Sequence, residues 1–133
     1  MIRAGLSTLA LAWVLTGLFI LVRPEVFYSL APGLSAMGPF NGHFVRDVGL
    51  AFLASGALLG WGTHKLAGRI ALAGLLWPML HAAFHLQVWS HRGFPFDFIF
   101  AFDLAAVIVP PALALVAVLY LSLIHISEPT RPY

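Results

Sequence analysis

The chain has 133 residues, of which 61% are hydrophobic and only 9% are Asp, Glu, Lys or Arg, and its net charge is +2. A soluble domain has about 25% charged residues, so these charges are too few to cover a soluble surface. The composition predicts an integral membrane protein in the lipid bilayer, with an all-α fold arranged as a four-helix transmembrane bundle. Scattered basic residues exclude nucleic acid as a partner, and the absence of cysteine excludes disulfides and thiolate chemistry.

The first predicted span is the apolar run 4–22, which is longer than the hydrophobic core of a signal peptide (about 7–15 residues). We therefore expect this run to be retained as a helix that ends at Arg23 and Pro24. Residues 25–30 are then expected to form a short helix at the membrane surface, where Tyr and Phe are favoured.

The second predicted span covers residues 43–61 and follows Asn41, whose side chain is suited to cap a helix N-terminus. Within this span, Gly56 and Gly60 have the spacing that lets two membrane helices approach closely. The two glycines therefore predict a face through which a homo-oligomer forms.

The third predicted span, 66–89, contains Pro78, and the fourth, 96–120, contains a Pro-Pro pair at 110–111. Proline removes a backbone hydrogen bond and bends a helix. Membrane helices tolerate this change, so we expect a kink at each place.

The last residues, 121–133, are set apart from the single domain that covers residues 1–120. Residues 121–131 resemble the translation of a transposase-type sequencing-library adapter read in frame. We therefore expect the natural chain to continue differently after about Tyr120. The tail accordingly contributes no residue to the candidate site.

Four spans place both termini on one side of the membrane, together with the turn 63–69. Lys and Arg are equally frequent on the two sides, three on each, but Arg46 is expected to lie inside a helix. The positive-inside rule then favours cytoplasmic termini.

The second helix begins, the third ends and the fourth begins at the opposite surface, so their ionisable residues are expected to converge in that half of the bilayer. Residues four apart share a helix face, as His43 and Asp47 do, and as His81 and His85 do. A charged side chain inside a membrane costs about 2.5–3.5 kcal/mol, so such groups should pair, bind a ligand or line water. The candidate ligand-binding residues are His43, Arg46, Asp47 and Asp103, and the candidate metal ligands are His81 and His85.

The histidine pair leaves several interpretations open. The two rings could join helices by hydrogen bonds, ligate a metal or haem, or handle protons or a small polar ligand. Imidazole and carboxylate ligands suit zinc or Fe(II), and haem is the weaker alternative. Arg46 and Asp47 are expected to form a structural ion pair near the interface.

Two short segments, 43–49 (HFVRDVG) and 81–85 (HAAFH), resemble those of small bacterial four-helix membrane proteins of unknown function. That group is loosely similar to the DoxX-like proteins in size and layout. The resemblance spans most of residues 1–120, and it implies the same architecture and a bacterial inner membrane. It implies no activity.

The leading functional hypothesis is a small membrane protein whose polar His/Asp cluster binds a metal ion or a small ligand in one half of the bilayer. The alternative is a structural or accessory subunit in which the cluster only locks the helices together. Redox or quinone-linked function, with His81 or His85 as an axial haem ligand, and, in a dimer, proton-coupled transport are further hypotheses. The chain lacks the HExxH signature of zinc hydrolases, so no enzymatic activity is assigned.

Overall fold

The structure, a computed structural model, describes the backbone of residues 1–127 and the side chains of residues 1–123. A 3₁₀ turn, Leu34–Met37, precedes the second long helix, and a π turn, Leu104–Ile108, lies in the last span. No strand occurs among the described residues. The α-helices in chain order are α1 (Ile2–Val22), α2 (Pro24–Leu30), α3 (Gly42–Lys65), α4 (Gly68–His91), α5 (Phe98–Asp103) and α6 (Val109–Ser127).

Four helices are long and apolar enough to cross a membrane, namely α1, α3, α4 and the composite helix Phe98–Leu123. Their outward surface is apolar, as one exposed leucine on each helix illustrates: Leu11, Leu50, Leu76 and Leu113. Continuous apolar surface of this kind is typical of contact with lipid. The predicted all-α four-helix bundle is confirmed, and the four spans indicate a multi-pass membrane protein.

The turn between α3 and α4 lies later in the chain than predicted. Leu66 adopts the left-handed backbone conformation, with φ at +55°, and thereby ends α3. The Ala67 N–H donates to the Gly62 carbonyl oxygen over 2.9 Å, which closes the helix C-terminus. α3 therefore extends to Lys65, and α4 begins at Gly68 instead of residue 66.

Side-chain caps set the start of two helices. The Asn41 side chain accepts hydrogen bonds from the N–H groups of His43 and Phe44, each over 3.1 Å, which confirms the predicted cap of α3. The Asp97 carboxylate accepts a hydrogen bond from the Phe100 N–H over 2.8 Å. α5 therefore begins directly after Asp97, two positions later than predicted.

The segment after α1 forms the short helix α2, as predicted. Pro24 is buried and occupies the first turn of α2, where its missing N–H would have no helical partner in any case. The Tyr28 hydroxyl donates to the Gly38 carbonyl oxygen, and its ring packs edge to face on Phe40. These contacts tie α2 to the loop that leads into α3.

Helix α1 packs on α3, α3 on α4, and α4 on α6. A methyl group added at Gly56 would meet the Ala10 carbonyl oxygen at 2.7 Å, and one at Gly60 would meet the Ala10 side chain at 3.4 Å. The small-residue spacing thus brings α1 and α3 of the same chain together, and a homo-oligomer at this face stays a prediction. The core that results is lined by Leu6, Ala10, Trp13, Leu59, Ala71, Leu75, Ala114 and Val118.

The prolines affect their helices in different ways. Pro78 is buried inside α4, which continues through it. At the Pro-Pro pair, Pro110 and Pro111 have no N–H to donate to carbonyls one turn earlier. The Val109 N–H donates to the Leu104 carbonyl oxygen, five residues back, so the disturbance predicted at this pair takes the form of a π turn.

Candidate functional site

The predicted polar residues separate into two groups at the same end of the bundle. His43 and Asp47 form one pair on the first turns of α3, whereas His85 and Asp103 form another between α4 and α5. His81 lies beside His85. No hydrogen bond or ion pair among residues 1–123 joins the two groups.

Asp103 is a buried carboxylate that receives two polar contacts from α4. His85 Nδ1 lies 2.8 Å from Asp103 Oδ2, and the Trp89 indole N–H donates to the same oxygen over 3.0 Å. Trp89 is itself buried, and its ring packs on Phe100 with centroids 4.2 Å apart. These side chains connect α4 to α5 by polar bonds within an apolar bundle.

The site lies inside the membrane-spanning part of the bundle. His85 is six residues before the end of α4 at His91, which corresponds to about 9 Å along the helix axis. Asp103 is five residues after the start of α5 at Phe98, or about 7.5 Å. A charged carboxylate in a membrane costs about 2.5–3.5 kcal/mol, so the two contacts from α4 offset part of a substantial desolvation cost.

A column of rings continues from this site along α4. Trp77, His81, His85 and Trp89 occupy every fourth position and so share one face. His81 stacks on Trp77 with centroids 4.9 Å apart and planes at 10°, and it meets His85 edge to face at 4.6 Å. Phe52 of α3 packs on Trp77 at 5.0 Å. Among the described residues, ring contacts and no hydrogen bond hold the His81 side chain.

The two ring nitrogens of His85 have different surroundings. Nδ1 faces Asp103, and an ionised carboxylate only accepts hydrogen bonds, so with Asp103 in its ionised form Nδ1 is the nitrogen that carries the proton. Nε2 takes no part in this bond. It accepts a hydrogen bond when the ring is neutral and donates one when the ring is protonated. Because the His85 side chain is 24% exposed, the site can offer one oriented imidazole nitrogen to a ligand.

The His43–Asp47 pair lies on the exposed surface of α3. His43 Nδ1 lies 2.8 Å from Asp47 Oδ2, and the two side chains are 86% and 57% exposed. Arg46 donates to the Gly42 carbonyl oxygen over 3.1 Å instead of pairing with Asp47, so the prediction of an Arg46–Asp47 ion pair was wrong. Exposed ion pairs contribute about 0–1 kcal/mol. His43, Arg46 and Asp47 thus lie outside the group formed by His85 and Asp103.

The predicted zinc or iron site is not supported. Among the side chains that the structure describes, those of residues 1–123, no group of three or more His, Cys, Asp or Glu is arranged to hold a metal ion. The His81 and His85 rings pack edge to face on each other, and Asp103 Oδ2 is occupied by His85 and Trp89. The i, i+4 spacing of His81 and His85 therefore brings their rings into contact along α4 and does not form a metal site.

Trp89 belongs to the site but was not among the predicted site residues. A tryptophan close to the end of a membrane helix is typical of the lipid interface. Trp89 was therefore interpreted as an interface residue, and its hydrogen bond to Asp103 was not predicted. The signal that identifies Trp89 is its position four residues after His85, the same spacing that links His81 to His85.

Comparison with known protein families, with curated proteins and with solved structures found no match to the chain. The similarity to the DoxX-like proteins accordingly stays a prediction. The function is therefore inferred from the geometry of the site.

Proposed function

We propose that the chain is a membrane protein that binds a small polar ligand in one half of the bilayer through His81, His85 and Asp103. The bond between His85 and Asp103 supports this function, because the buried carboxylate orients the ring by one nitrogen and leaves the other free for a further bond. The His85 side chain is 24% exposed, so part of it is accessible to a ligand. Ionisable groups within membrane spans are by default candidates for functional sites.

The environment of His81 supports the same proposal. Its ring lies 4.6 Å from that of His85 and contacts Trp77, but it makes no hydrogen bond within the described part of the chain. A polar group held in apolar surroundings without a partner costs free energy. A ligand that hydrogen-bonds to His81 would recover this cost.

Trp89 supports a second candidate function, a structural lock in an accessory subunit. Its buried N–H donates to Asp103 and joins α4 to α5 whether or not a ligand is present. Under this function, His85 is simply a second donor to the same carboxylate, and His81 is a packing residue.

The inner membrane and cytoplasmic termini belong to the proposal as well. The side that holds the termini has Arg3, Lys65 and Arg69 and no acidic residue within residues 1–127. On the opposite side, Arg92 is paired with Asp97 over 2.9 Å. Acidic residues contribute little to the positive-inside rule, which counts Lys and Arg near the ends of the spans. Arg46 is the fifth residue of α3 and lies deeper than Arg3, Lys65 and Arg69, so the rule favours cytoplasmic termini.

Native mass spectrometry of the detergent-purified chain, together with elemental analysis, tests the binding function. The variants are His81→Ala and, as a control, His91→Ala, because His91 is exposed at the end of α4. We expect the wild type and the control to retain a non-lipid mass that His81→Ala loses, with no metal in any sample. If no non-lipid mass binds in any of the three samples, the structural lock is favoured. Stoichiometric metal that is lost in His81→Ala would contradict the proposal that the ligand contains no metal.

A further inference from the structure

We infer that the ligand is an amphiphile with a phenolic hydroxyl, which enters from the lipid and bonds to His85 Nε2. This inference rests on the proposed function and narrows it from a small polar ligand to one chemical class. Three properties of the site support it: its depth, the hydrogen-bonding capacity of His85 and the rings around it.

The depth of the site determines the route of entry. His85 lies about 9 Å along α4 from the end of the helix. Its ring borders that of Phe84 at 6.1 Å, and Phe84 is half-exposed on the outer surface of α4. Phe102, next to Asp103, is exposed as well. Exposed phenylalanines at this depth face acyl chains, so the ligand must dissolve in the bilayer and carry an apolar tail.

The hydrogen-bonding capacity of His85 selects the polar group of the ligand. With Nδ1 bound to Asp103, Nε2 accepts from a ligand when the ring is neutral and donates when it is protonated. A hydroxyl group serves in both states, because it both donates and accepts. An ammonium group would bring a further charge into the apolar layer, and a carboxylate would be repelled by Asp103.

The rings along this face of α4 and beside His85 favour an aromatic carrier for that hydroxyl. His81 and Trp77 are stacked in parallel, and Phe84 stands edge to face with His85 at an angle of 86°. Aromatic rings pack favourably on one another in offset or edge-to-face arrangements, at about 0.5–1.5 kcal/mol per pair. A phenol thus provides both a hydroxyl group for the hydrogen bond with Nε2 and an aromatic ring that packs on the neighbouring rings.

Binding of 4-nonylphenol and of its methyl ether, 4-nonylanisole, to the full chain in detergent micelles tests the inference. The two probes share the ring and the tail, but the ether has no hydroxyl hydrogen to donate. The ¹⁵N chemical shift of His85 Nε2 reports binding at this atom, and titration gives the affinities. At a pH at which this ¹⁵N shift shows a neutral ring, Nε2 can only accept a hydrogen bond. Under that condition we expect the phenol to bind about tenfold more tightly than the ether, as one hydrogen bond allows.

Two variants separate the role of Nε2 from that of the fold. His85→Asn keeps an N–H donor for Asp103 but removes Nε2, so the phenol should lose its advantage over the ether. His43→Ala changes only the exposed pair on α3 and should leave that advantage intact. Equal affinities of the two probes for the wild type, or an advantage that survives in His85→Asn, would overturn the phenolic class.

The result also distinguishes this inference from the binding function on which it rests. If the phenol has no advantage while a co-purified mass still depends on His81, the ligand belongs to another chemical class and the binding function stands. If neither probe binds and no mass co-purifies, both are overturned.

Discussion

Replacing Trp89 by phenylalanine tests whether its bond to Asp103 holds α4 against α5. Phenylalanine keeps an aromatic ring next to Phe100 but removes the N–H that donates to Asp103 over 3.0 Å. A hydrogen bond to a charged group contributes about 1.5–3 kcal/mol, whereas polar bonds between membrane helices average about 0.6 kcal/mol and reach about 1.7 kcal/mol. Because His85 still contacts the same oxygen, Trp89→Phe should lower the free energy of unfolding by about 1–2 kcal/mol.

The assay is unfolding of the purified chain by sodium dodecyl sulfate in mixed micelles, followed by far-ultraviolet circular dichroism. Trp61→Phe is the matched control, because Trp61 is exposed on α3 and its loss should change the free energy by less than about 0.5 kcal/mol. A double-mutant cycle with Asp103→Leu separates the bond from the loss of ring volume and should give a coupling energy of about 1 kcal/mol. Equal effects of the two tryptophan variants, or a coupling energy near zero, would refute the reasoning.

Two further predictions use the same unfolding assay. Gly56→Ala should destabilise the chain by about 1–3 kcal/mol, because the added methyl group would meet the Ala10 carbonyl oxygen at 2.7 Å, whereas Gly5→Ala, with no atom within 4 Å, should have little effect. An equal effect of the two variants would contradict the packing of α1 on α3. The hydrogen bond from the Phe100 N–H lowers the pKa of Asp97 most, desolvation raises it, and Arg92 lowers it further, so the pKa lies below its ordinary value. The stability that this carboxylate contributes is therefore present above its unfolded-state pKa and is lost as the pH falls through the lower, folded-state pKa. In Asp97→Asn, the free energy of unfolding should fall less steeply as the pH is lowered. The same pH dependence in the variant and the wild type would contradict the role of this cap.

Much of the fold could be predicted from residue patterns, because the length of an apolar run and the chemistry of a cap are local properties. The four spans and the Asn41 cap are of this kind. The end of α3 could not be predicted, because Leu66 adopts a backbone conformation that its side chain disfavours. The conformation of Leu66 depends on the tertiary packing of α3 against α4, which cannot be read from the neighbouring residues.

The candidate site could be predicted only in part, for a similar reason. The spacing of His81 and His85 correctly places both on one face of α4. The order of the helices brings Asp103 to about the same depth in the membrane as His85. Spacing does not specify how each helix is rotated about its axis, and this rotation decides which side chains meet. His43 and Asp47 of α3 pair with each other on the exposed surface of the bundle, whereas Asp103 contacts His85 of α4.

The π turn before the Pro-Pro pair has a consequence for how the last span could change during evolution. A π turn contains one residue more than the α-helical turn it replaces, so it rotates everything on one side of it by about 100° relative to a regular helix. Asp103 lies on one side of the turn Leu104–Ile108, and the core residues Ala114 and Val118 lie on the other. Removal of one residue from the turn would swing the carboxylate away from α4 while the core contacts of α6 stayed in place. Insertion and deletion, rather than substitution, would then be the shortest route by which a lineage gains or loses this polar site without redesigning its bundle.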